Sequence, residues 1–199
     1  MQKIVNLTEI LNLTELVACL SSKKTDELDI IFKKLKKNDT SPNKIYESIL
    51  QTYLFCGFPA AIQGLQAFSK HFKISIFKES YNLKIFRKRG LVNIKKVYDK
   101  NHVKLIENFS NMSPDLADWM IIEGYGKVLG RTKLTLKFRE LLNVAILCTN
   151  YYETQLISHI KGSLNTGSDK NVIERIIKQT AKYNSNQNII KALKLLKTC

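Results

Sequence analysis

KFRELLNVAILCTNYYETQLISHIKGSLNTG, residues 137–167, is the stretch whose reading decides the fold. Apolar residues recur at helical spacing on both sides of Asn150-Tyr151-Tyr152, which predicts two helices joined by a tight turn. Asn150 followed by Glu153 resembles a capping box opening the second helix, and Gly167 is placed to close it. Glu140 lies in the first helix and His159 on the face of the second. A hairpin can bring this acid and this imidazole together, and such a pair is a candidate for proton transfer.

The same stretch has an echo ninety-three positions earlier, in KIYESILQTYLFCGFPAAIQGLQAF from Lys44. Superposed, Lys137 falls on Lys44, Glu140 on Glu47 and Leu147 on Leu54, and the turn falls on Gly57-Phe58-Pro59. His159 falls on Gln66, so the earlier copy keeps the carboxylate and loses the imidazole. The expectation is an internal repeat, about 44–68 and 137–161, whose hairpins cover each other's apolar faces.

Outward from these hairpins the chain reads as helix almost throughout. Ser41-Pro42 and Ser113-Pro114 each place a capping side chain before Pro at the first helical position. Thr25 precedes DELDIIFKKLKK, whose acids come first and lysines last, and Ser168 opens DKNVIERIIKQTAKY. The expected order is a helical pair (about 7–37), a hairpin (about 42–72), a basic segment (about 81–109), a long helix (about 114–129), a second hairpin (about 136–166) and two short helices. Strand-like alternation is confined to FKISIF at 72–77. This is an all-α chain of one multi-helix domain spanning 41–199, preceded by an N-terminal helical pair in 1–40.

Composition narrows the function. Of 199 residues 44% are hydrophobic, enough for a sizeable core. No apolar run approaches the roughly 18–20 residues that span a membrane. MQKIVNLTEILNL reads as a folded helix and not as a signal peptide, and a cytoplasmic protein is expected. Cys19, Cys56, Cys148 and Cys199 are scattered, without CxxC or zinc spacing, and read as reduced thiols. The net charge is +15, and residues 70–104 hold eleven Lys or Arg against Glu79 and Asp99. Yet only five of the 32 basic residues are Arg, and bidentate phosphate and base contacts favour Arg. Lysine spread over solvated faces is the better reading, and nucleic acid is not the expected partner.

The order of residues resembles the carboxymuconolactone decarboxylase and alkylhydroperoxidase-D-like superfamily over about 42–178. The resemblance rests on Gly124-Tyr125-Gly126-Lys127-Val128-Leu129-Gly130-Arg131, on Arg139-Glu140-Leu141, and on Gln155-Leu156 with His159, Gly162 and Gly167. In the first half it is carried by Glu47, Gln51, Tyr53 and Gly57-Phe58-Pro59-Ala60-Ala61, then by Arg87-Lys88-Arg89-Gly90, Val97-Tyr98 and Pro114-Asp115-Leu116-Ala117-Asp118-Trp119. It implies an all-α, oligomerising fold, as trimers or hexamers, with sites near subunit contacts. In the peroxidase-like branch a Glu and a His flank two Cys three residues apart. Here those map to Glu140 and His159, with Tyr152 and Gln155 in the cysteine positions, which removes both thiols and with them a disulfide-forming peroxidase.

The decarboxylase-like branch lacks the CxxC, as this chain does. The resemblance then implies a cofactor-independent decarboxylase or related proton-transfer enzyme on a small anionic organic acid or lactone, with neither metal nor cofactor. Glu140 and His159 are the catalytic candidates, His159 as the acid and Glu140 holding its other ring nitrogen. Tyr152, Gln155 and His159 fall at offsets of three and four and share a helix face. Arg131 or Arg139 supplies the charge for the substrate's carboxylate. The alternative is a non-catalytic, oligomeric small-molecule-binding relative. In that case Glu140 pairs with an Arg, His159 is a satisfied interior histidine, and Tyr152 and Gln155 pack and cap.

Overall fold

A computed structural model describes residues 7–73, 75 and 78–199. α1 (Leu7–Ser21) is followed by a 3₁₀ turn at Thr25–Glu27 and α2 (Leu28–Lys37), then α3 (Pro42–His71), α4 (Leu83–Tyr98) and α5 (His102–Met112). α6 (Pro114–Trp119) runs into a π-helical segment, Met120–Val128. α7 (Leu136–Asn150), α8 (Glu153–Asn165), α9 (Lys170–Gln179) and α10 (Asn186–Thr198) complete the fold, and no strand occurs among the described residues. The all-α reading is borne out. The alternating segment at 72–77 is only partly described, since 74, 76 and 77 lie outside the described residues; Phe72, Lys73 and Ser75 are in no helix or strand.

The chain reverses at Gly57 inside α3, where φ is 73° and ψ 179°, a conformation that only glycine adopts without strain. Pro59 follows, where a new helical arm begins. The two arms lie against each other: the rings of Tyr46 and Phe68 are 6.0 Å apart, and a Cβ on Gly64 would reach Ile49 Cγ2 at 2.7 Å. α7 and α8 form the second hairpin. Here the turn differs from the expected capping box. Asn150 stays in α7, Tyr151 takes the left-handed conformation (φ 51°), and the N-cap of α8 is Tyr152 with no side-chain cap. Ser113 does cap α6, accepting from the Leu116 amide at 3.2 Å.

Two helices sit at the centre. α1 packs on α3, α7 and α9, and α7 packs on α1, α3, α8 and α9. Every residue of α7 from Phe138 to Cys148 is buried. Burying each aliphatic side chain there contributes roughly 1.5–3 kcal/mol, which lets the same helix hold Arg139, Glu140 and Asn143 in the core. A second, smaller core joins α4 to the π-helical segment through Ile94, Val97, Ile121, Tyr125 and Leu129. Their backbones nearly touch: a Cβ on Gly90 would lie 2.0 Å from the Ile121 carbonyl oxygen, and one on Gly126 2.2 Å from that of Phe86. The long helix expected at 114–129 is thus α-helical only at its start.

Candidate functional site: a buried acid–imidazole pair

Glu140 and His159 meet between α7 and α8. His159 Nδ1 lies 2.7 Å from Glu140 Oε2, with Glu140 fully buried and His159 6% exposed. α8 can approach so closely because position 162 is glycine: a Cβ there would stand 2.6 Å from the same Glu140 oxygen and 2.6 Å from Val97 Cγ1. Glu140 accepts a second hydrogen bond, at Oε1, from Asn143 Nδ2 at 3.1 Å. That amide nitrogen is also 3.3 Å from His159 Nδ1. With the Nδ1 proton directed to Glu140, both nitrogens are donors, and Asn143 gives its hydrogen to the carboxylate. This fixes the tautomer and leaves Nε2 as the bare nitrogen. Nε2 has no hydrogen-bond partner among the described residues and is not one of the fully enclosed, unpaired polar atoms. The imidazole also meets the ring of Phe55 edge-on, centroids 5.8 Å apart.

From this pair a polar chain runs through the core to the other carboxylate. Asn143 Oδ1 accepts from Gln51 Nε2 at 2.5 Å, and the same Gln51 nitrogen donates to the Arg139 carbonyl at 2.8 Å. The Arg139 guanidinium donates to Gln51 Oε1 (3.4 Å), to the Arg131 carbonyl (3.0 Å) and to Glu47 Oε2 (2.8 Å). Arg131 Nε reaches both Glu47 oxygens at 2.9 Å. Burial depresses the Arg139 pKa, and the Glu47 carboxylate opposes that shift.

The residues singled out from sequence therefore divide. Glu140 and His159 are brought together. Arg131 and Arg139 are not at the pair: their donors hold Glu47, so the anion they carry is the protein's own. Tyr152 is the N-cap of α8, outside its helical turns and 55% exposed, so it does not share a helix face with His159. Gln155 is one turn before His159 but on the solvent side. Tyr152 lines a cavity of about 620 Å³ with Phe55, Cys56, Gln63, Lys23 and Asn150 among others. Neither Glu140 nor His159 lines it, and Phe55 is the residue that belongs both to its wall and to the imidazole's surroundings. Asn143 carried no signal, because a lone Asn on an apolar helix face looks like a packing residue. Lys23 and Cys56 line one cavity only because the end of α1 and α3 lie side by side, which no local pattern reveals.

Behind the pair, Tyr98 and Tyr125 share a hydrogen bond between hydroxyls at 2.9 Å. Burial, with the Glu140 charge adding to it, pushes the Tyr98 phenol up to about 12. Tyr125 is raised as well, by burial first and then by the Tyr98 and Glu140 charges. Both phenols stay protonated near neutral pH. Among the described residues, no group of three His, Cys, Asp or Glu converges as a metal site. Cys148, the thiol nearest the turn in sequence, lies against Thr180 and Asn184, and burial raises its pKa.

An all-helical core with a Glu–His pair across one hairpin is the architecture that the sequence resemblance implied. Residues 114–198 match the model of the Carboxymuconolactone decarboxylase family. Two curated relatives share more of the chain. Peroxisomal protein 2 of Schizosaccharomyces pombe is 27% identical over 132 residues, covering 64% of this chain and 62% of the relative. Peroxisomal protein 2 of Saccharomyces cerevisiae is 28% identical over 88 residues, 44% of this chain and 31% of the relative. The chain thus spans less than two thirds of either relative's length.

Proposed function

We propose that the chain is a cofactor-independent proton-transfer enzyme, a decarboxylase or close chemical relative, acting on a small organic acid or lactone. One observation carries this reading: an imidazole whose Nδ1 is held at 2.7 Å by a buried carboxylate and whose Nε2 has no protein partner among the described residues. Nε2 takes a proton from solvent water, and Glu140 stabilises the imidazolium that results. In a decarboxylation the carbon–carbon bond to the carboxylate breaks, carbon dioxide leaves, and the electron pair remains on the enolate-like product. The imidazolium Nε2 then returns a proton to carbon. The substrate side is the cavity at Phe55, Cys56 and Tyr152, with Lys23 as the cation in place of Arg131 or Arg139.

The test is to supply unsaturated lactone acids and keto acids and measure carbon dioxide release or solvent-hydrogen exchange. His159→Gln should lower a demonstrated rate about 10²–10⁴-fold, and an unchanged rate overturns the assignment. A second reading, a non-catalytic binding relative, is favoured by the position of the pair outside the walls of that cavity. A ligand that raises the melting temperature without being consumed supports it.

We also infer that α3 and the α7–α8 hairpin are two copies of one unit. Shifted by ninety-three positions, the Glu140–His159 pairing falls on Glu47–Gln66, between the observed Tyr46–Phe68 and Ile49–Gly64 contacts. The copies share one register. Assembly as a homotrimer or hexamer belongs to the same reading and is checked by light scattering. No helix among the described residues is long and apolar enough to cross a membrane. The relatives' names bring the peroxisome forward beside the expected cytoplasm, which imaging of a tagged full chain distinguishes.

A further inference from the structure

Where α4 ends, the chain turns through Asp99 (φ 49°, ψ −129°), a conformation costly for any residue with a Cβ. The His102 ring reaches back to the Asp99 carbonyl, Nδ1 to oxygen 2.6 Å. The corner opens a cleft of about 460 Å³ between α8 and the start of α5. Lys100 and Lys104 stand on one wall and Lys161 on the other, all exposed, and the Asp99 carboxylate and the last residue, Cys199, with its main-chain carboxylate, also line it. Among the described residues none of the three lysines has a carboxylate partner, whereas Lys33, Lys34, Lys44, Lys127, Lys178 and Lys182 all do. Asn101, Asn108 and Ser158 add uncharged hydrogen-bonding groups at the walls, and Val97, Leu105 and Leu164 give an apolar lining.

Three like charges gathered on facing walls repel one another, and their field is concentrated by the low-dielectric walls of a cleft. An anion seated between them relieves that repulsion and takes charge-assisted hydrogen bonds from both sides. We propose that this cleft is a binding site for a small organic oxyanion, a phosphate ester or a dicarboxylate, whose charged end lies between Lys104 and Lys161 and whose carbon skeleton rests on Leu105 and Leu164. It is separate from the Glu140–His159 pair, neither of which lines it, so it stands whether or not that pair is catalytic. Val97 and Tyr98 belong to both neighbourhoods: both line the cleft, Val97 packs beside Gly162 near Glu140, and Tyr98 bonds Tyr125.

The experiment is isothermal titration calorimetry on the full chain with two probes, glycerol 3-phosphate and succinate, in low and moderate salt. Saturable one-to-one binding of either probe is expected, weakening as salt rises; the phosphate arm alone binding identifies a phosphoester, and both binding identifies a general oxyanion. Lys104→Ala with Lys161→Ala should weaken binding at least about tenfold, while the Arg double variant retains it. Lys36→Ala with Lys37→Ala, on exposed positions of α2 away from the cleft, should leave binding unchanged. No saturable binding of either probe, or equal weakening by the two alanine pairs, overturns the proposal.

Discussion

Replacing Glu47 by Ala tests the polar core most directly. The side chain is 1% exposed and holds two guanidinium groups, Arg139 at 2.8 Å and Arg131 at 2.9 Å. Arg139 is fully buried, so without Glu47 it remains as an uncompensated charge, bonded to Gln51 and the Arg131 carbonyl and repelled by the Arg131 guanidinium. Removing one partner of such a pair costs about 3–5 kcal/mol. For a chain of this size each kcal/mol moves the melting temperature by about 2–4 °C, which gives a drop of roughly 6–20 °C. Differential scanning calorimetry reads the shift, and urea unfolding gives the free energy. Glu47→Leu combined with Arg139→Met removes both charges and should be less damaging than Glu47→Ala alone. A Glu47→Ala protein within about 1 kcal/mol of the parent would show that water or a rearranged side chain reaches Arg139, and the enclosed ion pair would be wrong.

Three other outcomes are expected. Gly162→Ala places a methyl 2.6 Å from Glu140 Oε2 and from Val97 Cγ1, so it should destabilise by about 1–3 kcal/mol and displace the His159 ring, visible as a shifted imidazole signal by NMR. The Arg89 hydrogen bond holds the Glu79 carboxyl below its ordinary 4.5, so that pair's stabilisation is present above pH 4.5 and is lost as pH falls through the depressed folded value. The stability difference between the parent and Glu79→Gln should therefore be constant at neutral pH and shrink in acid, and a difference that grows below pH 4.5 refutes the pairing. Half-buried Cys56 should react with a thiol reagent before Cys19 and Cys148, whose thiols are raised by burial, Cys19 to about 12.

What was legible in the sequence follows from which interactions are local. The two reversals were marked by Gly57 with Pro59 and by the break at 150–152, because turn chemistry is written within a few residues. The Glu140–His159 contact could be read because a hairpin of known turn position fixes which residues face each other. The ion pairs could not. Arg131 and Arg139 join Glu47 across 84 and 92 positions, and no local pattern says which acid a buried guanidinium will meet. The capping box at Asn150 failed for a different reason: Tyr151 adopts the left-handed conformation itself, so the new helix starts two residues later than the motif suggested. The π-helical segment was hidden because its apolar spacing is nearly helical. Its register is set by backbone contact with α4 at Gly90 and Gly126, which is tertiary information.

The two buried carboxylates are compensated in different ways in the two hairpins. Each must be compensated, since an isolated carboxylate in the core costs far more than the fold's margin. Glu47 is met by two guanidinium groups, which never give up a proton near neutral pH, so that solution is static. Glu140 is met by an imidazole and an amide, and of the two only the imidazole has a ring nitrogen able to accept a proton. Gln51, which bonds Asn143 on one side and Arg139 on the other, ties the two solutions together. The arginine cluster therefore keeps α7 in register while the histidine keeps a nitrogen free. In the proposed reading His159 Nε2 is the atom that takes the proton, and the network through Asn143, Gln51 and Arg139 ties it to the ion pairs at Glu47.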